Sequence, residues 1–151
     1  MKYKMDIIKS ISLINEYRAV AGYATAEGTR KFMENAFKNG MANSHFRSFN
    51  NLNFSSLGIG TYLGQLTAED DIDLENAIYH SLKSGAVNVI DTAINYRSMK
   101  SEKNIGHAIK RLIEDKIISR DQVFISTKNG YITNDGDYPT IDVLEYMHKM
   151  Y

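Results

Sequence analysis

The sequence predicts an α/β chain in which three βα units make a parallel sheet, preceded by a helical extension. Three observations predict it. Short apolar runs rich in β-branched residues begin near positions 57, 87 and 123, about 30 and 36 residues apart. That is the pitch of strand–helix–strand units joined by right-handed crossovers. Between the runs lie segments whose apolar residues recur at helical spacing, and residues 1–50 show helical spacing without such a run.

In order along the chain, Ile7, Ile8, Ile11 and Ile14 predict a first amphipathic helix. A second begins at Thr25 as N-cap, with Gly28 close behind; Phe32, Ala36 and Phe37 share a face, and Gly40 stops it. Positions 45–53 read as a polar, irregular loop with Asn50-Asn51 as a turn signal. No chemistry is expected in residues 1–50, which are set apart from 51–151 as an extension.

The first strand is expected at 57–62, Leu-Gly-Ile-Gly-Thr-Tyr. Thr67 opens a capping-box-like start to a helix in which Leu74, Ala77, Ile78 and Leu82 face inward, and Gly85 ends it. Positions 87–90 form the second strand, broken only by Asn88 and running into Asp91-Thr92-Ala93. Ser101 is the expected cap of the next helix, whose Ile105, Ala108, Ile109, Leu112 and Ile113 give the cleanest periodicity in the chain. The third strand, 123–127, leads into Lys128; a loop marked by Asn129-Gly130 and Asn134-Asp-Gly136 follows, then Pro139, a cap at Thr140 and a helix from Ile141. A parallel sheet must be covered on both faces, by helices or by closure into a barrel. Two crossover helices cover one.

The 151 residues carry 18 Lys+Arg against 18 Asp+Glu, a formal charge of zero. A neutral balance gives no electrostatic footprint for nucleic acid or an anionic membrane. No stretch approaches the ~18 apolar residues of a membrane span, and charges run through the N-terminal segment where a signal peptide needs an apolar stretch. The absence of cysteine excludes disulfides, thiolate metal sites and cysteine catalysis, and fits a cytoplasmic chain.

Chemistry in parallel α/β folds sits at the C-terminal ends of strands. Asp91 ends the second strand, Tyr96 lies in the loop after it, and Lys128 ends the third. Singly, each has an ordinary explanation: a loop-anchoring carboxylate, one of ten tyrosines, a solvated lysine. Together they make a proton-transfer constellation, because a nearby ammonium favours the phenolate and a carboxylate holds the ammonium charged and oriented. Such a trio suits reduction of a carbonyl or deprotonation of an alcohol. Metal ligation is not expected: His45, His80 and His107 lie far apart without ligand spacing. The acidic run at 69–73 is explained by a helix N-terminus. Gly58 and Gly60 begin like a Gly-x-Gly-x-x-Gly loop, but Leu63 breaks the pattern, so a Rossmann cradle is unsupported.

The segments 57–62, Val-Ile-Asp-Thr-Ala-Ile-Asn-Tyr at 89–96, Ser101-Glu102 with Gly106, and Phe-Ile-Ser-Thr-Lys at 124–128 resemble, in this order, those of aldo/keto reductases. The resemblance covers about residues 52–130. It implies the N-terminal portion of a TIM (β/α)8 barrel that binds NADP(H) and transfers a hydride between the cofactor and an aldehyde, ketone or alcohol. By position it implies that Tyr96 is the general acid, that Lys128 lowers its pKa, and that Asp91 is the partner of that lysine. Gly60, Thr61, Tyr62 and Asp91 would line the cofactor's nicotinamide end.

The sequence departs from the family pattern in three respects. Arg97 stands where the usual glycine follows the motif tyrosine, and the 50-residue leader is longer than usual. A histidine at the end of a fourth strand has no counterpart among the 23 residues after Lys128; His148 there reads as a helix-face residue. The chain is therefore expected to hold only part of the cofactor site, and to be weakly active or inactive alone. Two other classes remain open: a small non-catalytic α/β binding module with the N-terminal helices on the second sheet face, and a regulatory relative that keeps the reductase fold.

Overall fold

A computed structural model of the chain describes residues 20–131 and 133–137. The helices expected around Ile7 to Ile14 and from Ile141, with Ile11 and His148, lie outside the described residues. The first described helix, α1 (Ala26–Lys38), starts at the expected threonine. Thr25 is extended, and its hydroxyl accepts the Gly28 N–H at 2.9 Å, which satisfies one of the helix's orphan donors. Gly28, Thr29, Phe32 and Ala36 form its buried stripe.

Strands β1 (Phe46–Phe49) and β2 (Leu52–Ser55) follow as an antiparallel hairpin, with Phe46 opposite Ser55 and Phe49 opposite Leu52. Asn50 and Asn51 take φ of 47° and 64°, the left-handed pair that a two-residue hairpin turn requires and that asparagine tolerates. The turn is where the sequence puts it, but the irregular loop expected around it is a hairpin. Its strands contain no valine or isoleucine and three of the four β1 residues are exposed, so they have no local signature. Their support comes from elsewhere: Asn53 donates its N–H to Thr29 Oγ1 on α1 at 3.1 Å, and the Phe46 ring packs edge-on against Phe32 and Phe37.

Three short parallel strands, β3 (Ile59–Gly60), β4 (Val89–Asp91) and β5 (Phe124–Ser126), pair in chain order. Ile59 pairs with Ile90, which pairs with Ile125; Gly60 pairs with Asp91, which pairs with Ser126. They are shorter than the apolar runs that predict them, yet pairing continues beyond their ends through Thr61 N to Asp91 O (3.1 Å), Thr92 N to Ser126 O (2.8 Å) and Ile94 N to Lys128 O (3.1 Å).

Helix α2 (Ala68–Lys83) joins β3 to β4, and α3 (Lys100–Glu114) joins β4 to β5. Thr67 caps α2 as expected, exchanging hydrogen bonds with Asp70. Ser101 does not cap α3. The helix begins two residues earlier, from Met99 in a left-handed conformation, with no side-chain cap. Ser101 is instead fully buried, and its hydroxyl donates to Thr61 O at 2.7 Å, a long-range partner that local spacing cannot reveal.

Ile78 and Leu82 of α2, Ile105, Ala108, Ile109 and Leu112 of α3, and Ile90 form one core with Phe32, Ala36 and Phe46; Ile59 and Ile125 pack against it. Alternation along the strands turns Val89, Asp91, Phe124 and Ser126 to the other face. The three described helices all contribute to the core that holds Ile90, while Phe54 of β2 meets Phe124 with ring centroids 5.2 Å apart. Among the described residues, no helix is long and apolar enough to cross a membrane.

Gly28 is the tightest point of the fold. A Cβ there would stand 2.2 Å from the carbonyl oxygen of Asp121, in the 3-10 turn Arg120–Gln122 on which α1 packs. A glycine-to-alanine change inside a helix ordinarily gains about 1 kcal/mol. Here Gly28→Ala is expected to destabilise by about 1–3 kcal/mol through overpacking against backbone, read as a lower urea midpoint.

Candidate active site

The C-terminal ends of β3, β4 and β5 lie side by side, so the segments that follow them share one rim. Asp91 is the last residue of β4, opposite Gly60 and Ser126. Lys128, two residues beyond β5, reaches across to it: Nζ lies 2.7 Å from Asp91 Oδ1, 2.8 Å from Oδ2 and 2.7 Å from the Thr92 carbonyl. An ammonium has three protons to donate, and here each has an acceptor. The same Nζ is 5.1 Å from the centroid of the Tyr96 ring. Asp91 first, and Tyr96 after it, hold the ammonium charged to higher pH than an ordinary lysine, outweighing its partial loss of hydration. The Lys128 and Asp91 side chains are each half exposed, so the pair opens to solvent.

The three residues singled out for chemistry thus meet at one rim, on one face of the sheet. Tyr62 joins them: its ring is 5.1 Å from that of Tyr96, edge to face, and it is exposed. Gly60 has nothing within 4 Å of where a Cβ would stand, leaving open space beside Asp91. Thr61 differs. It is buried, and its hydroxyl donates to Asp91 O (3.1 Å) and Thr92 Oγ1 (2.9 Å) while its carbonyl accepts from Ser101. Its side chain therefore braces the strand ends from beneath. The arrangement offers a phenol with an ammonium over its ring, and open space at Gly60 on the neighbouring strand.

Three residues contribute to this rim in ways the sequence does not advertise. Thr92 supplies the third acceptor for Lys128, Ser101 ties β3's end to α3, and Arg97 holds the loop after β3. The described histidines lie elsewhere. His45 bonds Ala86 O and Ser56, His107 pairs with Glu75, and the His80 ring sits against Tyr79. Among the described residues, no three metal-ligating side chains gather to hold an ion. A cavity of about 230 Å³ lies away from Asp91, near the C-termini of α1 and α2, lined by Asn35, Lys38, Leu82 and Ile117 among others; it shares no residue with the rim.

The family model described as "Aldo/keto reductase family" matches residues 56–148, more than half of the chain. No curated protein matches it.

Proposed function

The chain belongs to the aldo/keto reductase family, and from that membership we propose that it is an oxidoreductase whose site is built on Tyr96, Lys128 and Asp91. NADP(H), when bound, supplies or accepts the hydride. Every other part of the chemistry is assigned to the chain. Tyr96 gives its phenolic proton to the carbonyl oxygen of an aldehyde or ketone as the carbonyl carbon is reduced, leaving an alcohol; in reverse it takes the alcohol's proton. Lys128 stabilises the negative charge left on Tyr96, and Asp91 with the Thr92 carbonyl fixes where Lys128 stands. Gly60 and Tyr62 line the open space at this rim, and Thr61 keeps the ends of β3 and β4 together. The protein is proposed to act in the cytoplasm, in keeping with a chain without cysteine.

The single observation supporting this reading is the meeting of Lys128 with Asp91 at 2.7 and 2.8 Å against the Tyr96 ring. Proton donor, charge and orienter come from two adjacent strand ends, as a general acid requires.

The wider architecture proposed is the first part of a (β/α)8 barrel. Eight strands close such a barrel, and the described residues supply three, with β3 and β5 at the sheet edges. The 151-residue chain alone is therefore proposed to bind dinucleotide more weakly than micromolar and to turn over slowly. The test uses this chain in stoichiometric excess over a reactive aldehyde, with nicotinamide cofactor carrying deuterium at the transferable position. Deuterium appearing on the alcohol carbon at a rate above the protein-free control is the expected result, however slow. Label no faster than that control would favour the non-catalytic reading, and micromolar cofactor affinity would overturn the partial-site proposal.

A further inference from the structure

Arg97 follows the proton-donor candidate directly, yet its side chain is only 1% exposed. A long cation is rarely buried without fixed partners, and here every arm of the guanidinium has one. Nε and Nη2 both donate to the Gln65 carbonyl, at 3.0 and 2.7 Å. Nη2 also donates to Asp71 Oδ1 at 2.8 Å, and Nη1 to Asn104 Oδ1 at 2.8 Å. The fork therefore joins three elements: the loop between β3 and α2, the first turns of α2, and α3.

The surroundings are shaped to the fork. Gly64 has φ +113°, where a side chain is strained, and a Cβ there would press on the fork at 3.2 Å from Arg97 Nε. Gln65 is held from its other side as well, its N–H donating to Asp70 Oδ2 at 3.0 Å. Asp71 is shared, its second oxygen taking Lys100 Nζ at 2.7 Å. The backbone at Arg97, Ser98 and Met99 is left-handed throughout, with φ of 49°, 52° and 72°. Each such non-glycine residue carries strain that persists only where surrounding contacts over-determine it. Gly136, whose N–H donates to Ser98 O at 2.7 Å, adds one such contact.

Gln65 lies three residues beyond Tyr62, and Arg97 one beyond Tyr96. Clamping 65 to 97 thus sets how far the Tyr62 ring stands from the Tyr96 ring. We propose that Arg97 is a positioning residue, which fixes the loop after β3 against the turn after β4 and so holds Tyr62 and Tyr96 at their edge-to-face distance. Its side chain is buried among these partners, so it acts through the two loops. Lysine cannot replace it, because a single ammonium has no planar fork to span a carbonyl, a carboxylate and an amide at once.

The inference rests on the reductase reading for its purpose, since it names what holds that reading's proton donor. Its test does not. In the full chain with isotope-labelled tyrosines, a proton cross-peak between the Tyr62 and Tyr96 rings reports their contact, and amide exchange at 62–66 reports the loop. Arg97→Lys is expected to lose the cross-peak and to exchange on the order of tenfold faster at those amides, with the Phe32–Phe46 ring contact kept as the sign of an intact core. A residue that was only structural would lower the unfolding midpoint and leave the ring contact intact in the folded protein. A folded Arg97→Lys with both the cross-peak and the slow exchange of the unsubstituted chain therefore overturns the proposal. Should that variant not fold, Asp71→Asn removes one arm and keeps the arginine: a weakened cross-peak with faster exchange supports the clamp, and unchanged signals overturn it. No cofactor or carbonyl enters either readout, so the clamp and the reductase reading can fail separately.

Discussion

Tyr96→Phe is expected to slow carbonyl reduction by about 10²–10⁴-fold, the range contributed by a positioned acid or base, while changing the unfolding midpoint little. The ring survives the substitution, and with it the edge-to-face contact to Tyr62 and the face presented to Lys128. Only the hydroxyl goes. The loss should appear in the single-turnover rate of hydride transfer and not in cofactor affinity, because the phenolic proton moves only in the chemical step. Lys128→Met should show a similar loss for a different reason, since the charge left on Tyr96 would have no counter-ion.

The pH behaviour separates the two roles. The folded-state pKa of Lys128 is raised, so the stabilisation that its pairing with Asp91 contributes is fully present below the unfolded value, 10.5 for an ordinary lysine, and is lost only as pH rises through the folded value above it. Across the neutral range the pair is intact, and the effect of Tyr96→Phe should not vary with its state. Equal single-turnover rates for Tyr96→Phe and the unsubstituted chain would remove the phenol from the mechanism.

Much of this site is legible in the sequence because its parts sit at the ends of local patterns. Asp91 closes an apolar run and Lys128 follows another, and strand order then brings adjacent ends together without further information. Thr25 and Thr67 are legible as caps for the same reason: a cap and the amides it serves lie within three residues. What is not legible depends on partners far along the chain. Ser101 has the right type and place for a cap, but its hydroxyl goes to Thr61 O, 40 residues earlier. Arg97 reads as a departure from a glycine, and only the fold brings Gln65, Asp71 and Asn104 around it. The hairpin β1–β2 shows in the sequence only as its Asn50-Asn51 turn, because its strands are specified by what they rest on.

Asn88 is the sharpest instance, and its replacement by leucine is expected to cost about 2–6 kcal/mol of stability. In the sequence it merely interrupts a β-branched run. In the fold it is fully buried just before β4 and joins the hairpin to the parallel sheet. Its Oδ1 accepts the Ser55 N–H at 2.9 Å, its Nδ2 donates to Asn53 O at 2.9 Å, and its own N–H donates to Ser55 Oγ at 3.0 Å. Its carbonyl takes the Phe124 N–H at 2.9 Å, so one residue links β2, β4 and β5. Leucine has similar volume but no polar atoms. It would leave the Ser55 N–H and the Asn53 carbonyl without partners, at about 1–3 kcal/mol for each buried group.

Ser55→Ala removes the hydroxyl that accepts the Asn88 N–H and donates to Leu57 O; with one buried donor left unpaired it should cost about 1–3 kcal/mol. Because the two residues share partners, the double substitution should fall short of the sum by a measurable coupling. The damage should also be local to the hairpin end. Asn88 is three residues before Asp91, about 10 Å along an extended strand, and none of its bonds reaches the rim. Urea titrations of Asn88→Leu should therefore show a lower midpoint while the Tyr62–Tyr96 contact of the folded protein stays in place. An unchanged midpoint would mean that the hairpin is not anchored through Asn88, and a lost ring contact would mean that the two ends of the sheet are coupled through β4.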